Sequence, residues 1–298
     1  MNVRAPLIQI EAHLTRYADT LRLPAHLVAA VRYALLGGGK RLRPLLAWWA
    51  CEAVGTPGIA SVPAGIGAEL IHAFSLVHDD LPALDNDDLR RGRPTLHKHA
   101  GEAMAVLAGD AMMALAFQSL VESGLPAGLA YRLVRELADG TMGMIAGQVY
   151  DTLGGLDPAA DALTRVRTIH ANKTGALIRA SVRMGAMCGL AAGSAGGDAT
   201  KVDVPELRAL TVYADSVGVV FQIADDLLDV EGTAEQTGKR TGKDAELGKL
   251  TYPGAIGIEA SREQIRRLCD EALRALGLFG AKGEGLRVLC HEIANRSA

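Results

Sequence analysis

An all-α fold is the class this chain predicts, and three observations carry it. Alanine and leucine dominate and β-branched runs are few, which favours helix over strand. Apolar residues return at spacings of three and four along most of the chain. No run alternates as a half-buried strand would, and there is no heptad run or short repeat. The chain has 298 residues, 49% of them hydrophobic, enough for a large core. No linker is long enough to divide it. Residues 1–298 are therefore read as a single domain of about ten or more helices.

The elements follow in order. Leu14, Tyr17 and Leu21 form one stripe; Leu27, Val31 and Leu35 form another. Gly37-Gly38-Gly39 then breaks the chain before Lys40-Arg41-Leu42-Arg43-Pro44. Helix resumes from about Leu45 to Val54 and stops at Gly55-Thr56-Pro57-Gly58. A long helix is expected from Pro63 to about Leu81. Others are expected at roughly 102–123, 126–153, 160–191, 206–230, 252–276 and 284–296. Gly193–Asp203 and Glu231–Lys249 read as loops, the second rich in Gly, Thr and Lys.

Composition removes several classes of function. The net charge is −3, so no global field attracts nucleic acid or an anionic membrane. No stretch of about 18 consecutive apolar residues occurs, so no membrane span is expected. Cys51, Cys188, Cys269 and Cys290 are scattered in apolar helical context and read as reduced thiols. The start of the chain shows no leader pattern. Together these predict a soluble cytoplasmic protein.

Two aspartate clusters point to chemistry. One is Asp79-Asp80-Leu81-Pro82-Ala83-Leu84-Asp85, after Phe74-Ser75-Leu76-Val77; the other is Asp225-Asp226-Leu227-Leu228-Asp229, after Val219-Val220-Phe221. Carboxylates at the ends of apolar helices are costly unless paired or bound to metal. Leu207, Leu210, Ala214, Val217 and Phe221 make one helix face, which Asp225 and Asp229 continue. Asp79 and Asp85 are six positions apart, about 240° on an ideal helix, and could not share a ligand there. Pro82 disfavours straight helix at Leu81, so a local distortion can bring Asp85 round. Asp87 and Asp88 read as a solvated turn. Oxygen-only ligands suit Mg²⁺, which takes one or two carboxylates plus substrate phosphates.

Basic groups supply the complement. Lys40, Arg41 and Arg43 follow the glycine triplet, where backbone can approach an anion. Arg90, Arg91 and Arg93 follow the first acidic cluster, and Lys173, Lys239, Arg240, Lys243 and Lys249 come later. Acidic clusters, basic clusters and an apolar interior suggest a ligand with a diphosphate head and a hydrocarbon tail.

These motifs resemble a known family, the trans-prenyltransferases or short-chain isoprenyl diphosphate synthases. The matches are Gly38-Gly39-Lys40-Arg41-Leu42-Arg43-Pro44, His78 to Gly92, Gly109-Asp110, Lys173-Thr174-Gly175, Phe221 to Asp229, and Gly248 to Pro253. They keep the family order over nearly the whole chain. The resemblance implies an isoprenoid synthase-like bundle around a central cavity and a homodimer. It implies condensation of isopentenyl diphosphate with dimethylallyl and geranyl diphosphate on three Mg²⁺ ions. Asp79 and Asp85 resemble ligands of two ions, with Asp80 supporting. Asp225 resembles the ligand of a third, with Asp226 and Asp229 around it. Arg90, Lys173 and Lys239 or Lys249 resemble groups that hold the allylic diphosphate. Lys40, Arg43, His72 and Arg91 resemble those that hold isopentenyl diphosphate. Thr174 and Gln222 match positions that stabilise an allylic cation, and the Glu231–Lys249 loop reads as a lid. A terpene cyclase should lack the Lys40–Arg43 site, and a non-catalytic subunit should have lost its acidic ligands.

Chain length is read from Phe74 and Ser75. Ser75 lies one turn before Asp79 on the same face, and Phe74 is its bulky neighbour. At about 1.5 Å per residue, Phe74 lies roughly 7.5 Å below Asp79. In the family it resembles, an aromatic here accompanies farnesyl products and smaller residues accompany geranylgeranyl products. Farnesyl diphosphate is the expected product, and geranylgeranyl diphosphate the alternative.

Overall fold

Proline, glycine and side-chain caps set the limits of the helices. The computed structural model describes residues 2–193, 204–231 and 249–295. Helices α1 (Leu7–Asp19) and α2 (Ala25–Leu35) come first, α2 entered through Pro24. Helix α3 (Leu42–Ala53) starts three residues earlier than the spacing predicts. Pro44 falls in its first turn, where a missing N–H costs nothing. A 3₁₀ turn at Gly58–Ser61 leads into α4 (Val62–Asp79).

Two strands of two residues each, β1 (Leu89–Arg90) and β2 (Arg93–Pro94), form a hairpin that sequence reading misses. They are too short to show alternation. The signal is Arg91-Gly92, both at positive φ (54° and 72°), as a type I′ turn requires.

Helices α5 (Leu96–Ala100), α6 (Glu102–Val121) and α7 (Ala127–Thr152) follow. The expected helix over 160–191 is three pieces: α8 (Ala162–His170), a π turn (Ala171–Gly175) and α9 (Ala176–Gly193). Asp161 caps α8 by accepting from Thr164 N–H at 2.9 Å. Helix α10 runs Pro205–Glu231. The expected helix over 252–276 is broken at Gly257 (φ 85°) into α11 (Tyr252–Ile256) and α12 (Ile258–Ala275). A 3₁₀ segment then leads to α13 (Glu284–Ala294). Lys239 and most of the Gly193–Asp203 and Glu231–Lys249 loops lie outside the described residues.

Helix α9 packs on α3, α4, α7 and α10, and α4 packs on α3 and α6. The buried side chains form one cluster from Val3 to Ile293. On α10, Leu207, Leu210, Ala214 and Val217 are buried as their spacing predicts. Three helical stretches, Gly58–Asp79, Glu102–Val121 and Pro205–Glu231, are long and apolar enough to cross a membrane by length and composition. The missing run of 18 apolar residues therefore does not by itself decide against a span. Each stretch instead contributes about half of its window to the protein interior. Helices α6 and α7 pack together, yet both leave large apolar side chains exposed, among them Leu107, Val121, Met142 and Val149.

Tyr213 ties α10 to α13: it is fully buried, and its hydroxyl donates to the Leu286 carbonyl at 2.8 Å. Tyr213→Phe should lower stability by about 1–2 kcal/mol in urea unfolding, since one buried hydrogen bond is lost without a cavity.

Candidate active site

The first acidic cluster is shaped by the way α4 stops. The helix ends at Asp79, and the chain turns back at once. Leu84 N–H and Asn86 N–H both donate to the Leu81 carbonyl, at 2.9 and 3.1 Å. Asp85 N–H donates to the Asp79 carbonyl at 2.8 Å. This is the distortion expected at Pro82, and it brings Asp85 beside Asp79. Burial raises the Asp79 carboxyl to about 6; Lys173 opposes the rise, while Asp85 and Asp80 add to it.

Asp80 is turned elsewhere. It is buried and takes a bidentate fork from Arg90, with Nη2–Oδ1 at 2.6 Å and Nε at 2.9 Å from both oxygens. Two residues expected to act separately, on metal and on diphosphate, thus hold each other.

The second cluster divides in the same way. Asp225 and Asp229 are partly exposed, whereas Asp226 is buried. Asp226 Oδ2 accepts from Tyr252 N–H at 2.9 Å and lies 3.6 Å from His170 Nε2. One turn before Asp226, Gln222 Oε1 accepts from Thr174 Oγ1 at 2.7 Å. The structure therefore joins these two sequence-predicted residues directly.

Asp151, at the C-terminal end of α7, was missed in the sequence. Its Oδ2 is 2.6 Å from Lys173 Nζ and 3.9 Å from Lys249 Nζ. Lys249 also reaches Asp85 Oδ1 at 3.6 Å. Asp151 thus links both lysines to the first cluster. Its signal was the one used elsewhere, an aspartate ending an apolar helix, but it stands alone rather than in a cluster.

Lys173 and Thr174 sit in the π turn, a distortion common at functional sites. Gly147 of α7 makes the fit possible, because a Cβ there would overlap the Lys173 backbone.

On the other side of α4 lies a small cationic cleft. His72, Leu76 and Asp80, at i, i+4 and i+8 on α4, line it together with Tyr33, Arg90 and Arg91. Burial and the surrounding arginines push His72 well down, so its imidazole is neutral. Burial lowers Arg43 to about 10. Glu69, also missed in the sequence, is a buried carboxylate within an apolar helix. Its Oε1 is 2.7 Å from Arg41 Nη1, and Arg41 Nε is 2.7 Å from Glu11. Arg41 is therefore buried structure rather than a free cation.

Arg91 Nη1 donates to the Gly38 carbonyl, and a Cβ at Gly39 would overlap its guanidinium. The hairpin is fixed further by Arg93, 4.1 Å over the Tyr33 ring, which itself stacks on His99 at 4.0 Å. Lys40 is exposed; its carbonyl accepts from Arg4 at 3.2 Å.

Phe74 is buried, with its ring edge-on to His78 at 5.4 Å. Ser75 Oγ donates to the His72 carbonyl at 3.0 Å.

The chain is similar in sequence and fold to known proteins. Residues 24–275 match the polyprenyl synthetase family. The chain is 46% identical over 283 residues to geranylgeranyl pyrophosphate synthase 11, chloroplastic, of Arabidopsis thaliana, spanning 93% of this chain and 76% of that protein. It is 39% identical over 292 residues to farnesyl diphosphate synthase of Geobacillus stearothermophilus, spanning 96% and 94%. An apo FPP/GFPP synthase structure from Zymomonas mobilis superposes with a TM-score of 0.82 at 34% identity, covering 98% of this chain and 99% of that one. For a geranylgeranyl pyrophosphate synthetase from Pyrococcus horikoshii the TM-score is 0.85 at 25% identity, covering 98% and 97%. The chain belongs to the polyprenyl synthetase family, with the all-α fold and the trans-isoprenyl diphosphate synthase activity of that family.

Gly147→Ala should push the π turn off α7. Overpacking of this kind costs about 1–3 kcal/mol, and a shift of about 1 Å at Lys173 can lower turnover about 100-fold. Urea unfolding and steady-state rates check both.

Proposed function

We propose that this protein condenses isopentenyl diphosphate head-to-tail with dimethylallyl and then geranyl diphosphate, making farnesyl diphosphate. The observation that carries the reading is the meeting of Asp79, Asp85, Asp151, Lys173 and Lys249 at one end of an apolar bundle. That is a site for an anionic head whose tail runs into the protein.

The donor set fits Mg²⁺. Among the described residues no three carboxylate, imidazole or thiol groups converge to enclose an ion. Hard oxygen donors in ones and twos match an ion that completes its shell with water and substrate phosphate. Asp79, Asp85 and Asp225 would hold three such ions, Asp229 standing one turn beyond Asp225. When bound, the ions neutralise charge on the leaving diphosphate.

The chain's own groups do the rest. Lys173 and Lys249 already lie in the acidic site, and a bound diphosphate would draw them from Asp151. Arg90, held by Asp80, adds its positive charge beside Asp79 for the same head group. As the allylic C–O bond ionises, the Thr174–Gln222 pair presents oxygen dipoles to the developing cation. Arg43, Arg91, Lys40 and neutral His72 hold isopentenyl diphosphate across α4, so that its double bond meets the cation. The departing diphosphate takes the proton, and the apolar bundle excludes water. We assign the whole chain to one such domain, acting in the cytoplasm. Exposed apolar residues on α6 and α7 support pairing with a second copy.

Phe74 supports the farnesyl reading; 46% identity to a relative named geranylgeranyl pyrophosphate synthase favours the longer product. Incubation with labelled isopentenyl and allylic diphosphates, with and without Mg²⁺, tests the activity, and chromatography separates the two products. Phe74→Ala should lengthen the product; an unchanged spectrum from a folded, active variant would refute the wall.

Asp79 also sets a pH dependence. Its raised pKa means that the folded protein holds a proton there as pH falls through about 6, and that proton competes with a cation. The Mg²⁺ concentration for half-maximal turnover should therefore rise between about pH 7.5 and about pH 5.5. Mg²⁺ titrations of product formation at the two pH values measure it.

A further inference from the structure

The geometry points to Asp226 as a positioning residue, which anchors the backbone at Tyr252 and through it Lys249, rather than as part of the metal site.

Asp225, Asp226 and Asp229 belong to one motif, but the fold treats them differently. Asp226 is 5% exposed, while its two companions are partly open. Its Oδ2 faces α8 and α11: it accepts from Tyr252 N–H at 2.9 Å and sits 3.6 Å from His170 Nε2. Tyr252 is fully buried, and its ring lies 5.4 Å from the His170 ring. Burial pushes His170 down to about 4, so at neutral pH it adds a neutral polar contact and no charge.

Tyr252 N–H is the first amide of α11 and has no helical partner of its own. The local cap, Thr251 Oγ1, is given to Gly254 N–H at 3.2 Å. Asp226 thus satisfies from another helix an amide that would otherwise be orphaned in the interior.

Lys249 lies three residues before this anchor. Three residues span at most about 10–11 Å, so fixing Tyr252 limits where Lys249 can reach. It reaches Asp85 and Asp151. One carboxylate of the second cluster therefore limits the reach of a cation that contacts the first. The anchor stands on its own geometry; only the importance of Lys249 rests on the proposed function.

Hydrogen-exchange mass spectrometry of residues 250–256 tests the anchor. Asp226→Ala should speed exchange at the start of α11 about 10-fold or more, the usual effect of one buried hydrogen bond. Asp226→Asn keeps an acceptor and should restore protection to within about threefold of the wild type. Its half-saturating Mg²⁺ concentration should likewise stay within about threefold, because no metal contact is lost. Unchanged protection in Asp226→Ala, or a shift of about tenfold or more in Mg²⁺ half-saturation in Asp226→Asn, would overturn the proposal. If Asp226→Ala does not fold, Asp226→Asn decides: retained protection with unshifted Mg²⁺ response supports the anchor, and loss of either refutes it. If the wild type shows no prenyl transfer, the proposed function fails, while the exchange measurement still decides the anchor.

Discussion

The site depends on the hydrogen bond from Asp85 N–H to the Asp79 carbonyl. On a continued helix these two carboxylates would point about 240° apart. The turn at Leu81-Pro82 instead folds the chain back across the end of α4 and sets them side by side. The same reversal sends the chain into the β1–β2 hairpin, which returns Arg90 to Asp80. Positive φ at Asn86 and Arg91, and at Arg41 in the glycine-rich loop, shows the backbone cost of these reversals. Those three loops carry or border the cations of the site.

Charge in an apolar bundle persists only when it is answered by charge. Each end of the ledger is visible here. Asp151 stands between Lys173 and Lys249, Lys249 leans on Asp85, and Asp80 grips Arg90. Behind them Glu69 and Glu11 neutralise Arg41. Helix α4 separates two such regions: His72 and Asp80 line the cationic cleft, while Ser75 and Asp79 lie on a neighbouring row. The two regions are thus held apart by one helix width.

The contact of α7 with the π turn shows how backbone packing sets the chemistry. Gly147 lets the Lys173 backbone come close, and the π turn rotates Lys173 and Thr174 relative to a regular helix. Lys173 then meets Asp151 on α7, and Thr174 meets Gln222 on α10. The site is thus assembled from α7, the π turn and α10, by one close backbone approach and two side-chain contacts.

The sequence by itself determined the helices, their apolar faces and the acidic and basic motifs, because spacing along the chain is local information. It also marked the break at Pro82, since proline acts on its own neighbourhood. The π turn, the hairpin and the break at Gly257 were not legible, because each is shorter than the window in which periodicity can be seen. Asp151 and Glu69 were passed over for a different reason: a single carboxylate means little until its partner from another helix is known. Only tertiary structure decided that Asp80 meets Arg90 and that Asp226 meets Tyr252 and His170, while Asp79, Asp85, Asp225 and Asp229 stay partly exposed. Adjacent aspartates look alike in sequence, and the direction each side chain takes is set by what packs beside the helix.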